Sequence, residues 1–471
     1  MGPLTIYPVT SSSDIEMAEM FNSHFSSVFV KESKKIEDYK LHDNKKIIFP
    51  FTEMKICEKE IENIISALDS QKSTGPDEIH IRVLKSAPKQ FSKALGIIFR
   101  RSIENAEVPM DWKKANITPL YKKGNKSDPN NYRGISLTSI VCKILEKMIR
   151  NEIETYLCRN QLIYKSQHGF SKGKSCLTNL IEFFDSIIDC IDDHNAVDII
   201  YLDFCKAFDF ISHNYLIIKL IAYGINYKIV QWIEEWITGR QQRVVINGNK
   251  SKWVNVTSGT PQGTVLSTIL FLIFIDDIDN NLLCHISKFA DDSKISKKIS
   301  CISDAYALQK SLDYLSSWAD KWNVKFNISK CKALNLGHKN LNFQYELNGQ
   351  WIESVSSEKD LGVIISNNLK SSEQCLAAKN KSMKILGMIN RQISFKSPEV
   401  ILKLYKSYVR PHLEYCSQFW SPYLQKDIDL LENVQRRATK MIPAIRKLSY
   451  ENRLKHLNLF SLERRRKRHN T

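Results

Sequence analysis

An α+β protein, with an antiparallel sheet backed by helices, is what this 471-residue sequence predicts. Three observations carry that expectation. The apolar run Ile199-Ile200-Tyr201-Leu202 ends in Asp203 and reads as a strand. Two short strand-like segments, His285 to Lys288 and Ser293 to Lys297, flank Phe289-Ala290-Asp291-Asp292, which puts two adjacent acids at the tip of a β-hairpin. Helical patterns fill the rest, and everything after Ser371 reads as helical and basic.

The first element is polar. Residues 1–50 read as a tail or linker, with one helix over Ile15 to Val30. Residues 51–111 read as a helical extension. Ile56, Ile61, Ile64, Ile65 and Leu68 share one helix face. Gly75-Pro76 breaks that helix, and a second runs through Leu84 to Ile103. Ile117 to Lys122 and Tyr132 to Leu137 form a hairpin around a basic turn, presenting Lys122 and Arg133. Arginine offers a bidentate fork to phosphate and lysine a point charge. Ser136 or Thr138 caps an amphipathic helix that carries Ile140 to Ile153.

Gln167 to Ser175 is glycine-containing, but Gly169 lies only four residues before Gly173, so it lacks phosphate-loop spacing. A helix over Leu177 to Ile191 precedes the Asp203 strand. Short helices through Trp232 and Trp236 follow, then a hairpin of Arg243 to Ile246 with Trp253 to Val256 around Asn247-Gly248. The loop Ser258 to Gly263 feeds a helix buried on all sides, Thr264 to Ile275. Beyond the acidic hairpin come a helix from Asp304 to Trp322 and a strand over Val324 to Phe326. A small sheet of Phe343–Leu347, Trp351–Val355 and Leu361–Ile365 is expected last.

Three acids on one sheet edge suit a hard divalent cation, which keeps several waters and binds substrate phosphates beside one or two carboxylates. Two such ions about 3.5–4 Å apart clamp the attacking and leaving oxygens of an in-line phosphoryl transfer. Charge points the same way. The chain carries a net +17. From Ser366 to Thr471 there are 22 Lys and Arg against 8 Asp and Glu, so most of the excess is local and reads as a polyanion-binding surface. Eleven cysteines without a C-x-x-C pair argue against a disulfide framework or zinc ribbon and for a reducing, intracellular compartment. No signal peptide is legible, and the Thr264–Ile275 run is too short for a bilayer, so no membrane partner is expected.

In this order the blocks Tyr-Arg-Gly-Ile-Ser-Leu (132–137), Gln-His-Gly-Phe (167–170), Leu-Asp-Phe-x-Lys-Ala-Phe-Asp (202–209), Gly-x-Pro-Gln-Gly (259–263) and Phe-Ala-Asp-Asp (289–292) resemble reverse transcriptases. The likeness is to those of non-LTR retrotransposons of the jockey type. It implies a right-hand polymerase fold, with fingers and palm over 112–365 and an all-helical basic thumb and tail over 366–471. The function implied is an RNA-directed DNA polymerase; the alternative is a catalytically silent RNA-binding relic. Asp203, Asp291 and Asp292 would be catalytic and hold two Mg²⁺, with Mn²⁺ as a substitute. Backbone near Phe204 would touch metal or triphosphate. Phe208, five residues past Asp203, would exclude a 2′-hydroxyl and so argue against an RNA-making polymerase. Gln262 and Gly263 would lie against nucleotide and template. Lys122 and Arg133 would meet the triphosphate. Lys330, with Lys325 and Lys332 as rivals, would protonate the leaving pyrophosphate. Leu361 and Gly362 would grip the primer. The partners implied are an RNA template, a DNA primer or nicked target, dNTPs and a separate endonuclease. The terminal basic run reads equally as a nuclear import signal or a nucleic-acid contact, leaving nucleus and cytoplasm open.

Overall fold

A computed structural model describes residues 3–6, 9–29, 39–41 and 45–469. The chain forms two compact units. The first comprises residues 1–170, 204–281 and 314–327, the second 171–203, 282–313 and 328–471.

In the first unit, strand Lys114–Tyr121 pairs antiparallel with Tyr132–Leu137 and parallel with Arg240–Ile246. Arg240–Ile246 turns at Asn247-Gly248, both at positive φ, and also pairs with Val254–Val256. The helix over the N-terminal segment spans Asp14–Ser26; Val30 lies outside the described residues. This segment is not a free tail. Leu4, Met17, Ala18 and Phe21 are buried in one core with Ala115, Ile117, Tyr132, Val244 and Ile246. The expected helix through Leu84 to Ile103 is two helices, Ile81–Ser86 and Pro88–Asn105. Proline disfavours α geometry in the residue before it, and Ala87 sits at φ −146°, ψ 64°.

The cap of Ile140–Arg159 is Ser139, whose hydroxyl accepts from the Cys142 N–H, and not Ser136 or Thr138. The buried helix is Ser267–Ile275, shorter than Thr264–Ile275, and eight of its nine residues are buried. Val324–Phe326 is no strand; only an isolated bridge joins Phe326 to Phe204.

The second unit is built on a sheet in the order Glu353–Val355, Lys332–Leu336, Ala196–Leu202, Asp292–Ile299, His285–Phe289. Its pairings are antiparallel except the outermost, where Glu353–Val355 runs parallel to Lys332–Leu336. The expected small sheet over 343–365 therefore does not exist as such. Glu346–Leu347 pairs with Gln350–Trp351, Glu353–Val355 joins the main sheet, and Ser357–Asp360 pairs with Val363–Ser366. The β-propensity of those segments was real, but local sequence does not choose a pairing partner.

Helix Cys176–Asp192 lays Leu180, Phe183, Phe184 and Ile187 against Val197 and Ile199 of the sheet. The same core continues into Leu386, Ile401, Val409, Leu431 and Val434 of the C-terminal helices. Each such side chain stabilises the unit by about 1.5–3 kcal/mol relative to exposure. No helix among the described residues is long and apolar enough to cross a membrane.

Candidate active site

The acidic edge lies within the second unit. The ladder between Ala196–Leu202 and Asp292–Ile299 ends at Leu202 opposite Ser293, one residue short of Asp203 and Asp292. On the other side Asp292 pairs with Phe289, so Ala290 and Asp291 form a two-residue turn. Ala290 takes φ +58°. Left-handed backbone costs a residue with a Cβ about 1–2 kcal/mol, and such strain concentrates at functional turns. Strand register thus sets three acids at one end of the sheet.

The Asp292 carboxyl is pushed up to about 6, first by lost hydration and then by the negative charges of Asp291, Asp203 and Asp360. Lys330 Nζ donates to Asp203 Oδ2 at 2.9 Å. Both side chains keep solvent contact (59% and 32% exposed), so this pair contributes at most about 1 kcal/mol. Of the rival lysines, Lys332 pairs with Glu353 at 2.6 Å, and Lys325 belongs to the first unit.

Among the described residues no three His, Cys, Asp or Glu side chains form a ready metal cage. The donor chemistry nevertheless fits a hard cation. A carboxyl raised by burial and by neighbouring carboxylates is relieved by positive charge, and Mg²⁺ completes its shell with water and substrate phosphate instead of a full protein cage.

A cleft of about 130 Å³ opens here, lined by Asp203, Asp292, Lys294, Lys330, Asp360 and Leu361 among others. Leu361 and Gly362 form the turn of the hairpin Ser357–Asp360/Val363–Ser366, at φ +44° and +92°. Two positive φ values in a two-residue loop fit the twist of the flanking strands, at a steric cost for leucine. The Tyr415 hydroxyl donates to the Leu361 carbonyl at 2.8 Å. A Cβ on Gly362 would meet the same ring at 3.3 Å.

The remaining candidates lie in the first unit. Leu120 is opposite Arg133, so the two-residue period puts Lys122 and Arg133 on one face of their hairpin, both exposed. Phe204 is buried, its ring stacked on Phe326 at 4.6 Å. Phe208 stacks on Phe271 at 4.5 Å and is half-buried. Gln262 gives its carbonyl to the Ser136 N–H at 2.8 Å. Its amide Nε2 donates to both Asp209 oxygens at 3.0 and 3.2 Å. Gly263 stands at φ +106°, where a Cβ would press on the Ser136 carbonyl at 3.3 Å. Glu146, fully buried, accepts from the Val265 N–H at 2.9 Å and fixes the far end of this loop.

Sequence reasoning passed over Asp209, Lys294 and Asp360. Burial holds the Asp209 carboxyl above its ordinary range, against the Gln262 bond and the nearby charges of Lys206, Arg133 and Lys122. Its signal was adjacency to Phe208. That of Lys294 was its position two residues past Asp292, on the same strand face.

The sequence profile described as reverse transcriptase (RNA-dependent DNA polymerase) matches residues 121–389. This chain belongs to the reverse transcriptase family. That family is generally divalent-metal dependent, and its polymerase fold is the one described above. The RNA-directed DNA polymerase from the mobile element jockey of Drosophila melanogaster is 26% identical over 404 residues, 82% of this chain and 43% of the relative. Its counterpart from Drosophila funebris is 25% identical over 445 residues, 91% of this chain and 48% of the relative. The chain thus spans a little under half the length of these relatives. A solved structure of apo telomerase from Candida tropicalis overlaps with a TM-score of 0.45 at 12% identity, covering 74% of this chain and 59% of that one.

Proposed function

We propose that this chain is an RNA-directed DNA polymerase, of retrotransposon origin, that extends a DNA primer on an RNA template. One observation carries the reading: strand register brings Asp203 and Asp292 to the end of one ladder, with Asp291 in the adjoining turn, inside the segment that matches the family. Asp203, Asp291 and Asp292 would hold two Mg²⁺, or Mn²⁺, which supply Lewis-acid activation of the primer 3′-hydroxyl and neutralise the leaving pyrophosphate.

The chain's own residues do the rest. Lys122 and Arg133 donate to the triphosphate. Gln262, its amide turned to Asp209, and Gly263 present backbone to the incoming nucleotide. Phe208, held by Phe271, closes the space a 2′-hydroxyl would need. Lys330 leaves Asp203 and gives a proton to the departing pyrophosphate. The Leu361–Gly362 turn supports the primer end. Template sequence is read by base pairing, so the protein recognises backbone, shape and 2′-hydroxyls. The basic C-terminal helices hold the duplex, with strong salt dependence. A separate endonuclease would supply a nicked DNA target. None of the eleven cysteines is disulfide-bonded, which supports a reducing compartment.

Primer extension tests the proposal. Wild-type protein should add dNTPs to a primed RNA in a Mg²⁺-dependent manner, and Asp203→Asn or Asp291→Ala should lower the rate by at least about 10³-fold. Equal incorporation by wild type and variants sinks the reading. Normal binding of primed RNA without any incorporation identifies the silent relic instead.

A further inference from the structure

Lys294 and Asp360 form a buried ion pair that the proposed mechanism does not use. Lys294 Nζ meets Asp360 Oδ2 at 2.5 Å, with each side chain only 5% exposed. The ammonium also lies over the ring of Phe183, 4.5 Å from its centroid. Lys294 stands two residues beyond Asp292 on the same strand, so both side chains project from one face. Asp360 is the last residue before the Leu361–Gly362 turn. Both line the cleft that also holds Asp203 and Asp292.

The topology gives this pair its meaning. The hairpin Ser357–Asp360/Val363–Ser366 is a two-stranded sheet of its own, and no described ladder joins it to the strand of Asp292. Backbone hydrogen bonds therefore do not set the distance between the turn and the acids. A buried ion pair is a poor choice for stability alone, because well-packed apolar residues of similar volume often do as well or better. Its best-attested use is to fix one register among several. Tyr415 also holds the turn, through the Leu361 carbonyl.

We propose that the Lys294–Asp360 pair is a positioning device that holds the Leu361–Gly362 turn, and with it the 3′ end of a primer, in register with the strand carrying Asp292. The inference rests on the polymerase reading for the identity of what the turn holds. Lys294 and Asp360 touch no reacting atom; their charges bear on Asp292, and they position the primer through the turn. Their loss leaves the acids in place and lets the primer terminus wander, and a displacement of about 1 Å at a reacting centre can cost on the order of 10²-fold in rate.

The experiment uses the full chain, a primed RNA whose primer ends in a photoreactive thiothymidine, and the variants Lys294→Met, Asp360→Asn and Lys294→Met/Asp360→Leu. Wild type should crosslink mainly within residues 360–363. Each single variant should lose about tenfold of that crosslink and of kcat, while KM for dNTP and duplex affinity stay within about twofold. The apolar double variant leaves no buried charge unpaired, so its melting temperature should return to wild type while the crosslink does not. Recovery of both melting temperature and crosslink in the double variant overturns the proposal, since the pair would then be mere packing. A folded single variant with an unchanged crosslink overturns it too. A wild-type chain that crosslinks as described, loses the crosslink in the variants, yet incorporates nothing, overturns the polymerase reading and supports this one.

Discussion

The acidic edge of the second unit and the loop over 258–263 of the first are built by opposite means. Asp203, Asp291 and Asp292 are placed by strand pairing, where a slip of one residue would send every side chain to the wrong face. The loop over 258–263 has no ladder. It is tied by single bonds: Ser258 Oγ to the Asp209 carbonyl, His213 Nε2 with the Gly259 carbonyl, and Gln262 Nε2 on Asp209. Charge follows the same division. At the edge, burial first and then the neighbouring acids hold Asp292 high, and the backbone keeps these acids together regardless. Beside the loop, burial raises Asp209 as well, but there the neighbouring charges are three cations that work against the rise. A rigid sheet tolerates repulsion; a loop held by side chains needs compensation.

The sharpest way to break this contrast is at Phe208. Phe208→Ala should retain dNTP incorporation but lower the preference for dNTP over rNTP by about 10²-fold, measured as the ratio of kcat/KM values. An unchanged preference would reduce the ring to packing on Phe271. Next, Asp209→Ala should release Gln262 and raise KM for dNTP about tenfold with a smaller change in kcat. Asp209→Asn keeps an acceptor for the amide and should recover most of the loss. If the Asn and Ala variants behave alike, the bond to Gln262 is not what positions the loop.

A smaller effect is expected in the basic C-terminal helix Leu462–His469. Arg464 and Arg468 lie over the Phe460 ring at 4.8 and 4.7 Å and are exposed. Replacing both by Gln should flatten the log–log salt dependence of primed-RNA binding by about 1.4 to 1.8. An unaltered slope would remove this helix from the nucleic-acid surface.

The smallest concerns Asp292. A carboxyl raised to about 6 is disfavoured when ionised in the fold. The stability tied to it is complete below its unfolded value of about 4 and is lost as pH climbs through about 6. In metal-free protein, Asp292→Asn should therefore raise Tm by about 2 °C at pH 8 and not at all at pH 4, a modest figure because the residue keeps an exposed edge. The same gain at both pH values would mean that charge is not the cause.

Much was legible without coordinates. Periodicity located the helices around Ile61, Ile144 and Leu180, and Asn247-Gly248 marked a hairpin turn. Capping was harder, because Ser136, Thr138 and Ser139 are all good caps and only the end of the preceding strand chooses among them. The segments over 343–365 were recognisable as strands but not as partners. Which strand each joins depends on residues far away in the chain, and propensity carries no information about them.

The sequence by itself determined which acids, aromatic and amides belong to the family's blocks, because those residues occur at fixed local spacing. Only the tertiary structure decided that Asp209 receives Gln262, that Lys330 rests on Asp203, and that Lys294 is buried against Asp360. These pairs join residues 53, 127 and 66 positions apart. A charge pair is set by distance and burial in the folded chain, and neither is written in the order of the residues.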